Sequence, residues 1–244
     1  MTVVLKLGGS VITEKDSPET LDGRALDALA AAIAAADVEN LVIVHGGGSF
    51  GHHHASAHGV STTEGSHDTA AIMDVHGAMT TLNRFVLSRL HEHDVPALPV
   101  HPFSAAARDE HATLSMPTDQ VGTMLEEGFV PVLHGDGVVH AGEGVTVLSG
   151  DELVTHLASA LDADRVGVCS TVPGVLDAED AVVPEIDSFE EVADLLGASD
   201  ATDVSGGMAG KVRELLDLGA PAHVFGPDAL AAFLAGGEPG TRIG

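Results

Sequence analysis

The sequence has very little positive charge. Its 244 residues include ten lysines and arginines against 37 aspartates and glutamates, which gives a formal net charge of −27. Such a chain repels nucleic acid and anionic membranes, so neither is an expected partner. A large self-repelling charge, combined with many small apolar residues, indicates a protein adapted to high salt. This composition does not by itself indicate a reaction.

Cysteine and long apolar runs are also scarce. Cys169 is the single cysteine, so a disulfide within the chain is excluded, and its apolar surroundings predict a buried thiol in a reducing compartment. No run of about 18 apolar residues predicts a membrane span. The first residues lead directly into a predicted strand, and no signal peptide is expected. We therefore expect a cytoplasmic protein.

Lysine occurs only three times. Lys6, Lys15 and Lys211 each lie beside or just after a glycine-rich turn, a placement that scattered surface lysines would not show. An ammonium group is a compact charge that suits phosphate. The three lysines are therefore candidates for a phosphate site.

A glycine-rich segment at residues 45–52 follows four apolar residues. It reads His-Gly-Gly-Gly-Ser-Phe-Gly-His, and the apolar residues 41–44 predict a buried strand. Glycines at this density let backbone N–H groups come close to an anion, for which phosphate is the usual case. His52 can donate a hydrogen bond to a phosphate oxygen. A plain glycine-rich turn is the alternative.

Segments that predict strands alternate with segments that predict helices along the whole chain, without a domain break. This alternation predicts an α/β fold, a three-layer αβα sandwich with a mostly parallel central sheet. The glycine-rich turns should then meet at one edge of the sheet. The main predicted segments are strands at 2–7, 41–44, 97–100, 130–133, 165–169 and 222–225, hairpins at 135–149 and 171–183, an irregular flap at 53–65, helices at 67–92, 151–161, 188–196 and 207–218, and an edge strand at 241–243.

Two nucleotide-binding motifs match only in part. Residues 46–51 fit G-x-G-x-x-G, but a dinucleotide site also needs a helix beginning in the motif and an acidic residue at a second strand end. Residues 206–211 resemble a P-loop. Ser205, however, replaces its first glycine, and Val212 replaces the hydroxyl residue that holds Mg²⁺.

Other polar residues have two interpretations. His52, His53, His54 and His58 suggest a metal site, but adjacent histidines rarely share an ion without carboxylate or cysteine help at fixed spacing. We expect solvated histidines, with His52 set apart, and no protein-bound metal. Asp151 either begins a helix as a capping carboxylate or holds lysines between two phosphates.

Taken together, four motifs resemble the amino acid kinase superfamily. They are residues 6–10, 45–48, 149–151 and 203–211, and they follow the order of that family over nearly the whole chain. Within it, the isopentenyl phosphate kinases are the closest match, because residues 11–15 extend the first motif to Lys15 and residues 49–52 add His52. One departure is the nucleotide loop at 170–174, which lacks both family aspartates.

The resemblance implies a single domain, with an acceptor lobe at about 1–145 and a nucleotide lobe at about 146–244. It implies transfer of phosphate from ATP to isopentenyl phosphate, a small phosphorylated substrate, with Mg²⁺ held mainly by the phosphates. It also implies a homodimer. An apolar pocket for the isopentenyl tail is expected from the long helix, with Ile72, Val75 and Met79 as candidates.

The resemblance also assigns roles to individual residues. The expected catalytic residues are Lys6, Lys15, His52, Asp151 and Lys211. The expected nucleotide-binding residues are Lys6, Gly8, Gly9, Ser10, Gly48, Thr171, Gly174, Gly207 and Lys211. The expected acceptor-binding residues are Gly47, His52 and Gly150.

Two other functions remain open. One is a kinase of the same fold that acts on another small phosphate or phosphonate, such as the fosfomycin-phosphorylating relatives, which share the histidine. The other is a non-catalytic nucleotide-binding module, against which the placement of all three lysines argues. A kinase for UMP or acetylglutamate does not need His52.

The large negative net charge of the chain predicts that its thermal stability depends on the salt concentration. Like charges repel over about 10 Å at 0.1 M ionic strength and over about 3 Å at 1 M, so screening should stabilise a chain of −27. We expect the midpoint of thermal unfolding to rise steadily from low to molar KCl. A midpoint that does not change with KCl would contradict the adaptation to salt.

Overall fold

Strands and helices alternate along the chain as the sequence predicts. The computed structural model describes residues 1–193, 207–218 and 220–244. The strands in these ranges are β1 Thr2–Leu7, β2 Asn40–His45, β3 Ala97–Pro99, β4 Ala107–Arg108, β5 Leu114–Ser115, β6 Val130–His134, β7 Asp136–His140, β8 Gly144–Leu148, β9 Arg165–Cys169, β10 Glu185–Ile186, β11 Ala222–Phe225 and β12 Thr241–Ile243. The helices are α1 Gly9–Ile12, α2 Gly23–Ala34, α3 Gly48–Ala57, α4 Thr69–Glu92, α5 Asp119–Glu126, α6 Gly150–Ala160, α7 Gly207–Leu216 and α8 Leu230–Leu234.

A large sheet forms the middle layer. Its strand order in the described residues is β10-β12-β11-β9-β1-β2-β6-β3, and only the pairing of β11 with β12 is antiparallel. Buried apolar side chains cover both of its faces. The structure therefore confirms the predicted αβα sandwich with a mostly parallel sheet.

The register brings several strand ends to one edge. Leu7 of β1 lies opposite both His45 of β2 and Cys169 of β9, and His45 lies opposite His134 of β6. The turns after these four strands therefore begin side by side. This is the edge of a parallel sheet at which ligands bind.

Successive side chains of β1 point to opposite faces of the sheet, so each helix layer contacts every second residue of the strand. Val3, Leu5 and Leu7 pack into the core cluster that contains α2 and α4, whereas Val4 packs into the cluster that contains α6. Because side chains alternate across a strand, Lys6 points to the same face as Val4. The β1 lysine is thereby aimed at α6.

A small second sheet lies at residues 107–148. Its order is β5-β4-β7-β8, and β7 with β8 forms the hairpin predicted at 135–149. Buried Arg108 donates hydrogen bonds to the Thr62 carbonyl and to Thr146, and it pairs with Glu152 of α6. The arginine therefore ties this sheet to the start of α6.

Some predicted elements differ from those observed. Residues 53–57 belong to α3, because Phe50 and Ala55 bury one side of a helix that begins in the glycine turn. The irregular flap predicted at 53–65 was therefore wrong over 53–57, whereas residues 58–65 are irregular as predicted. Strand β12 is not at an edge, since it lies between β10 and β11.

Two further predictions are met only in part. The hairpin predicted at 171–183 is reduced to one bridge between Leu176 and Val182. The helix predicted at 188–196 is a short 3₁₀ turn at Phe189–Glu191, and its last residues lie outside the described ranges. No helix in the described ranges is long and apolar enough to cross a membrane.

Candidate active site

A cavity of about 460 Å³ lies at the sheet edge where the glycine turns meet. Most of the residues predicted from the sequence to form the site line it. These are Lys6, Gly8, Gly9, Ser10, Lys15, Gly47, Gly48, His52, Gly150, Asp151, Thr171 and Lys211. The structure therefore brings together residues from both ends of the chain.

Two predicted residues are placed differently. Gly174 is not among the lining residues, and a Cβ there would lie 2.7 Å from both Thr241 Oγ1 and Val182 Cγ1, so the glycine serves close packing against β12. Gly207 begins α7, one residue before Met208, which lines the cavity.

Two lysines share one buried carboxylate at the base of the cavity. Lys6 Nζ lies 2.6 Å from Asp151 Oδ2, and Lys211 Nζ lies 3.1 Å from the same oxygen. Ser149 caps α6 by accepting from the Glu152 N–H. The cap of α6 is therefore Ser149, whereas Asp151 lies in the first turn of the helix and pairs with both lysines.

Burial and charge act against each other in this trio. Burial lowers the pKa of Lys6 to about 8, against the opposing effect of Asp151. Burial would raise the pKa of Asp151, but the two ammonium groups hold it well below its usual range. The pKa of Lys211 is raised, because Asp151 outweighs the effect of burial. An anion in the cavity would compensate the excess positive charge.

Helix N-termini surround the trio. Helices α1, α3 and α6 begin at Gly9, Gly48 and Gly150, and all three glycines line the cavity. The N-terminus of a helix carries partial positive charge and free N–H groups, so it favours an anion. Three such ends at one cavity, together with the lysines, form a site for a highly charged anion.

The glycines are required because the backbones approach closely. A Cβ on Gly9 would overlap the backbone of Gly48, and a Cβ on Gly48 would overlap Thr13 Oγ1. Gly48 also has a φ of +49°, which disfavours other residues. Ser49 N then donates to Thr13 Oγ1 over 3.0 Å, which joins the two turns.

Two buried histidines that were not predicted from the sequence contact the backbone of the glycine turns. His45 Nδ1 lies 3.1 Å from the Gly46 carbonyl, and His134 Nδ1 lies 2.9 Å from the Gly135 carbonyl. The two rings stack with their centroids 5.4 Å apart. The sequence feature that could have indicated this pair is that β2 and β6 each end in a histidine followed by a glycine.

Both histidines are neutral in the folded protein. Burial lowers the pKa of His45 to about 4 and that of His134 to about 3. A neutral ring that donates from Nδ1 has a lone pair on Nε2. His134 Nε2 therefore accepts from His101 Nδ1 over 3.0 Å.

The hydrogen bond from His45 Nδ1 to the Gly46 carbonyl fixes the peptide between Gly46 and Gly47. In a trans peptide the N–H points away from the preceding carbonyl. The N–H of Gly47 is therefore directed opposite to the His45 ring. His45 thus positions a donor of the turn without touching a ligand itself.

A second pair missed by the sequence analysis lies in the wall of the cavity. Asp136 lines the cavity, and its carboxylate lies 2.9 Å from His76 Nδ1 of α4. Burial raises the pKa of Asp136, and the hydrogen bond to Asp136 raises that of His76. The pair places a hydrogen bond between an imidazole and a carboxyl group in the wall of the same cavity.

Part of the cavity is apolar. Val75 and Met79 of α4 line it, as predicted, together with Ala55 of α3 and Val147 of β8. Ile72, predicted with them, is not among the lining residues in the part of the chain that the structure describes. One cavity therefore combines a cationic base with an apolar wall.

The family model for the amino acid kinase family matches residues 1–225. The chain belongs to the amino acid kinase family. It is 62% identical to the isopentenyl phosphate kinase of Haloferax volcanii over 242 residues, covering 99% of this chain and 98% of that protein. It is 35% identical to the isopentenyl phosphate kinase of Methanothermobacter thermautotrophicus, covering 88% and 85% of the two chains.

A solved structure agrees over the full length. A chain from X-ray structures of isopentenyl phosphate kinase superposes with a TM-score of 0.87 at 30% identity, and each chain is covered completely. This match confirms the amino acid kinase fold predicted from the motifs.

The buried histidines of this kinase predict acid sensitivity. Their pKa values are lowered on folding from 6.5, so the unfolded chain binds more protons below about pH 6.5, and stability falls as pH falls toward 4. Near pH 5 each should contribute a slope of about 1.4 kcal/mol per pH unit. We expect His134→Asn, which keeps a donor near Gly135 but cannot titrate, to reduce the slope measured by denaturant unfolding at molar KCl.

His111→Asn is the matched control, because His111 is exposed, with 78% of its side chain accessible. It should leave the slope unchanged. Parallel pH profiles for wild type and His134→Asn would contradict the neutral buried histidine.

Proposed function

We propose that the protein is an ATP-dependent kinase that phosphorylates isopentenyl phosphate to isopentenyl diphosphate. The observation that carries this proposal is the 62% identity to the Haloferax volcanii isopentenyl phosphate kinase over nearly all of both chains. The cavity supports it, because a cationic base and an apolar wall suit a phosphate with a short hydrocarbon tail.

We assign the two substrates to different parts of the cavity. We assign the acceptor to the lobe at about 1–145, where Gly47 and His52 line the cavity with Val75 and Met79. We assign the nucleotide to the lobe at about 146–244, where Thr171 and Lys211 line the cavity. The turn at Gly8, Gly9 and Ser10 and the start of α3 at Gly48 would hold the transferred phosphates. Gly150 would lie against the acceptor phosphate.

The chemical problem is to bring two anions together. The acceptor phosphate is already a nucleophile, so no strong base is required, and catalysis rests on positioning and charge compensation. Asp151 fixes Lys6 and Lys211, and the helix N-termini add N–H donors. Lys15 lines the same cavity and would stabilise the phosphoryl group during transfer.

The carboxylates of the cavity suit Mg²⁺ that is held by the phosphates. Asp151 is engaged by two lysines, and Asp136 is engaged by His76. Mg²⁺ bound to the phosphates of ATP neutralises part of their charge. The chain's own part is to bind the remaining phosphate oxygens through its lysines and N–H groups.

The nucleotide loop supports ATP binding without the family aspartates. Ser170, Thr171 and Val172 line the cavity, and Ser170 N donates to the Phe225 carbonyl over 2.8 Å, which fixes the loop to β11. A homodimer is the assembly that the family resemblance implies, and the cytoplasm is the location expected from the composition of the sequence.

A kinase for another small phosphate or phosphonate is the main alternative. The apolar side chains of Val75, Met79 and Ala55 favour the hydrocarbon tail over a small polar phosphonate. A non-catalytic module would not require Lys15, which approaches the cavity from a separate hairpin.

The substrate is tested directly with purified protein at molar KCl. We expect ATP and isopentenyl phosphate to give isopentenyl diphosphate, measured by mass spectrometry of the products. Lys15→Ala should bind ATP but lower kcat by roughly 10²–10³-fold, since it removes one oriented charge. Turnover of fosfomycin without turnover of isopentenyl phosphate would overturn the proposal.

His52 should set the preference for a phosphorylated acceptor. A charge-assisted hydrogen bond from its ring is worth about 1.5–3 kcal/mol, so His52→Ala should lower kcat/KM for isopentenyl phosphate by roughly 10–150-fold. KM for ATP should change little. His52→Gln, which retains a donor, should recover part of the loss.

His53→Ala is the matched control for His52, because His53 is the next residue of α3 and is exposed. It should behave as wild type. Equal losses in the two variants would remove His52 from the acceptor site.

A further inference from the structure

A second group of polar residues lies on α3 and α4 and does not line the cavity. His54 and His58 are four residues apart, so they lie on the same face of the helix one turn apart. Asp74 of α4 faces them. The nearest nitrogen and oxygen atoms of these three side chains all lie within 4.8 Å of one another.

The distances are close to those of a metal site. Zinc binds histidine nitrogen and carboxylate oxygen at about 2.0–2.2 Å, so the donor atoms of a tetrahedral site are about 3.4 Å apart. His58 Nε2 already lies 3.0 Å from Asp74 Oδ2. The three side chains are partly exposed, so they have room to change rotamer toward an ion.

A second carboxylate comes from a third segment. Glu19 Oε1 lies 2.5 Å from His54 Nε2. The backbone holds this residue in place, because Glu19 N donates to the Ser49 carbonyl over 3.1 Å and Thr20 N donates to Ser49 Oγ. Glu19 is therefore fixed to the start of α3, beside the first histidine.

We propose that His54, His58 and Asp74, with Glu19 as the fourth donor, bind a divalent transition ion such as Zn²⁺. Two imidazoles and two carboxylates match its preference for nitrogen and oxygen ligands. Mg²⁺ and Ca²⁺ prefer oxygen alone, so the histidines distinguish this site from the acidic surface in general.

This proposal replaces the expectation of solvated histidines. The sequence analysis missed carboxylates for them because Glu19 and Asp74 are 35 and 16 positions away from their histidine partners. The fold supplies them by packing the hairpin at 13–21 and helix α4 against α3. His52 and His53 are not part of the group.

The ion would join three segments that form the acceptor end of the cavity. Residues 13–21 carry Lys15, α3 carries His52, and α4 carries Val75 and Met79. Asp74 directly precedes Val75. An ion at this site would therefore stabilise the wall of the cavity without contacting the substrates, and its binding does not depend on the proposed function.

The test uses the full-length protein, stripped of metal with a chelator, in molar KCl. We expect isothermal titration to show one Zn²⁺ per chain, and Co²⁺ to give the visible absorption of a site with nitrogen ligands. His54→Ala, His58→Ala and Asp74→Asn should each weaken Zn²⁺ binding by about tenfold or more. Glu19→Gln should weaken it less, because Glu19 touches only one of the ligands.

Two controls separate this site from binding to the acidic surface. His111→Ala removes an exposed histidine outside α3 and should bind Zn²⁺ as wild type does. Mg²⁺ at the same concentration should not compete. Thermal unfolding should shift upward with Zn²⁺ in wild type and in His111→Ala, and should not shift in His54→Ala.

The proposal fails if no stoichiometric ion binds to the wild-type protein. It also fails if the doubly substituted His54→Ala, His58→Ala protein, with a wild-type circular dichroism spectrum, binds Zn²⁺ as tightly as wild type. Loss of kinase activity in an unrelated variant would not affect either result, because both readouts measure the metal.

Discussion

The site depends on one buried carboxylate that holds two ammonium groups. Lys6, Asp151 and Lys211 leave a net positive charge inside a protein whose formal charge is −27. Burying charge is costly unless it is paired, and the lowered pKa of Lys6 reports that cost. Within the trio the pairing is incomplete by one charge, and Glu214, whose pKa burial raises to about 7, also interacts with both lysines. An anion in the cavity would interact favourably with the same two ammonium groups.

The rest of the fold places this group where an anion can reach it. Alternation along β1 turns Lys6 toward α6, and the Ser149 cap begins α6 so that Asp151 lies in its first turn. Gly150 leaves room for the lysine, since a Cβ there would lie 3.3 Å from Lys6 Cε. Lys211 reaches the same carboxylate from α7. Small local features, a cap and a glycine, therefore decide the geometry of the charges.

Much of this could be predicted because it is local in the sequence. Strands β1 and β2 follow from apolar runs between turns, and the site glycines Gly8, Gly9, Gly47 and Gly48 lie just after them. Helix α3 was not predicted, because the histidines at 52–54 make a polar pattern although Phe50 and Ala55 are buried. Gly174 was assigned to the nucleotide by resemblance, whereas its packing against Thr241 depends on a strand about 65 residues away.

What could not be predicted depends on register and on packing between distant elements. The pairing of His45 with His134 requires that β2 and β6 be neighbours in parallel register. Asp136 meets His76 only because β7 packs against α4. Glu19 and Asp74 reach the α3 histidines only across a hairpin and a helix pair. None of these contacts leaves a periodic pattern in the chain. The His-Gly that occurs at 45–46 and again at 134–135 is a sign of the histidine pair, but it does not show that the two strands are neighbours.

The distribution of charge explains how so acidic a protein can bind anions. Exposed carboxylates act over about 10 Å at 0.1 M salt and over about 3 Å at 1 M, whereas buried charges are screened much less. At high ionic strength the repulsion between the surface and an approaching phosphate is therefore removed, while the attraction of the Lys6–Asp151–Lys211 group and the helix N-termini persists at short range. Salt thus acts in the same direction on stability and on substrate binding, because it weakens the interactions at the surface and leaves those in the cavity.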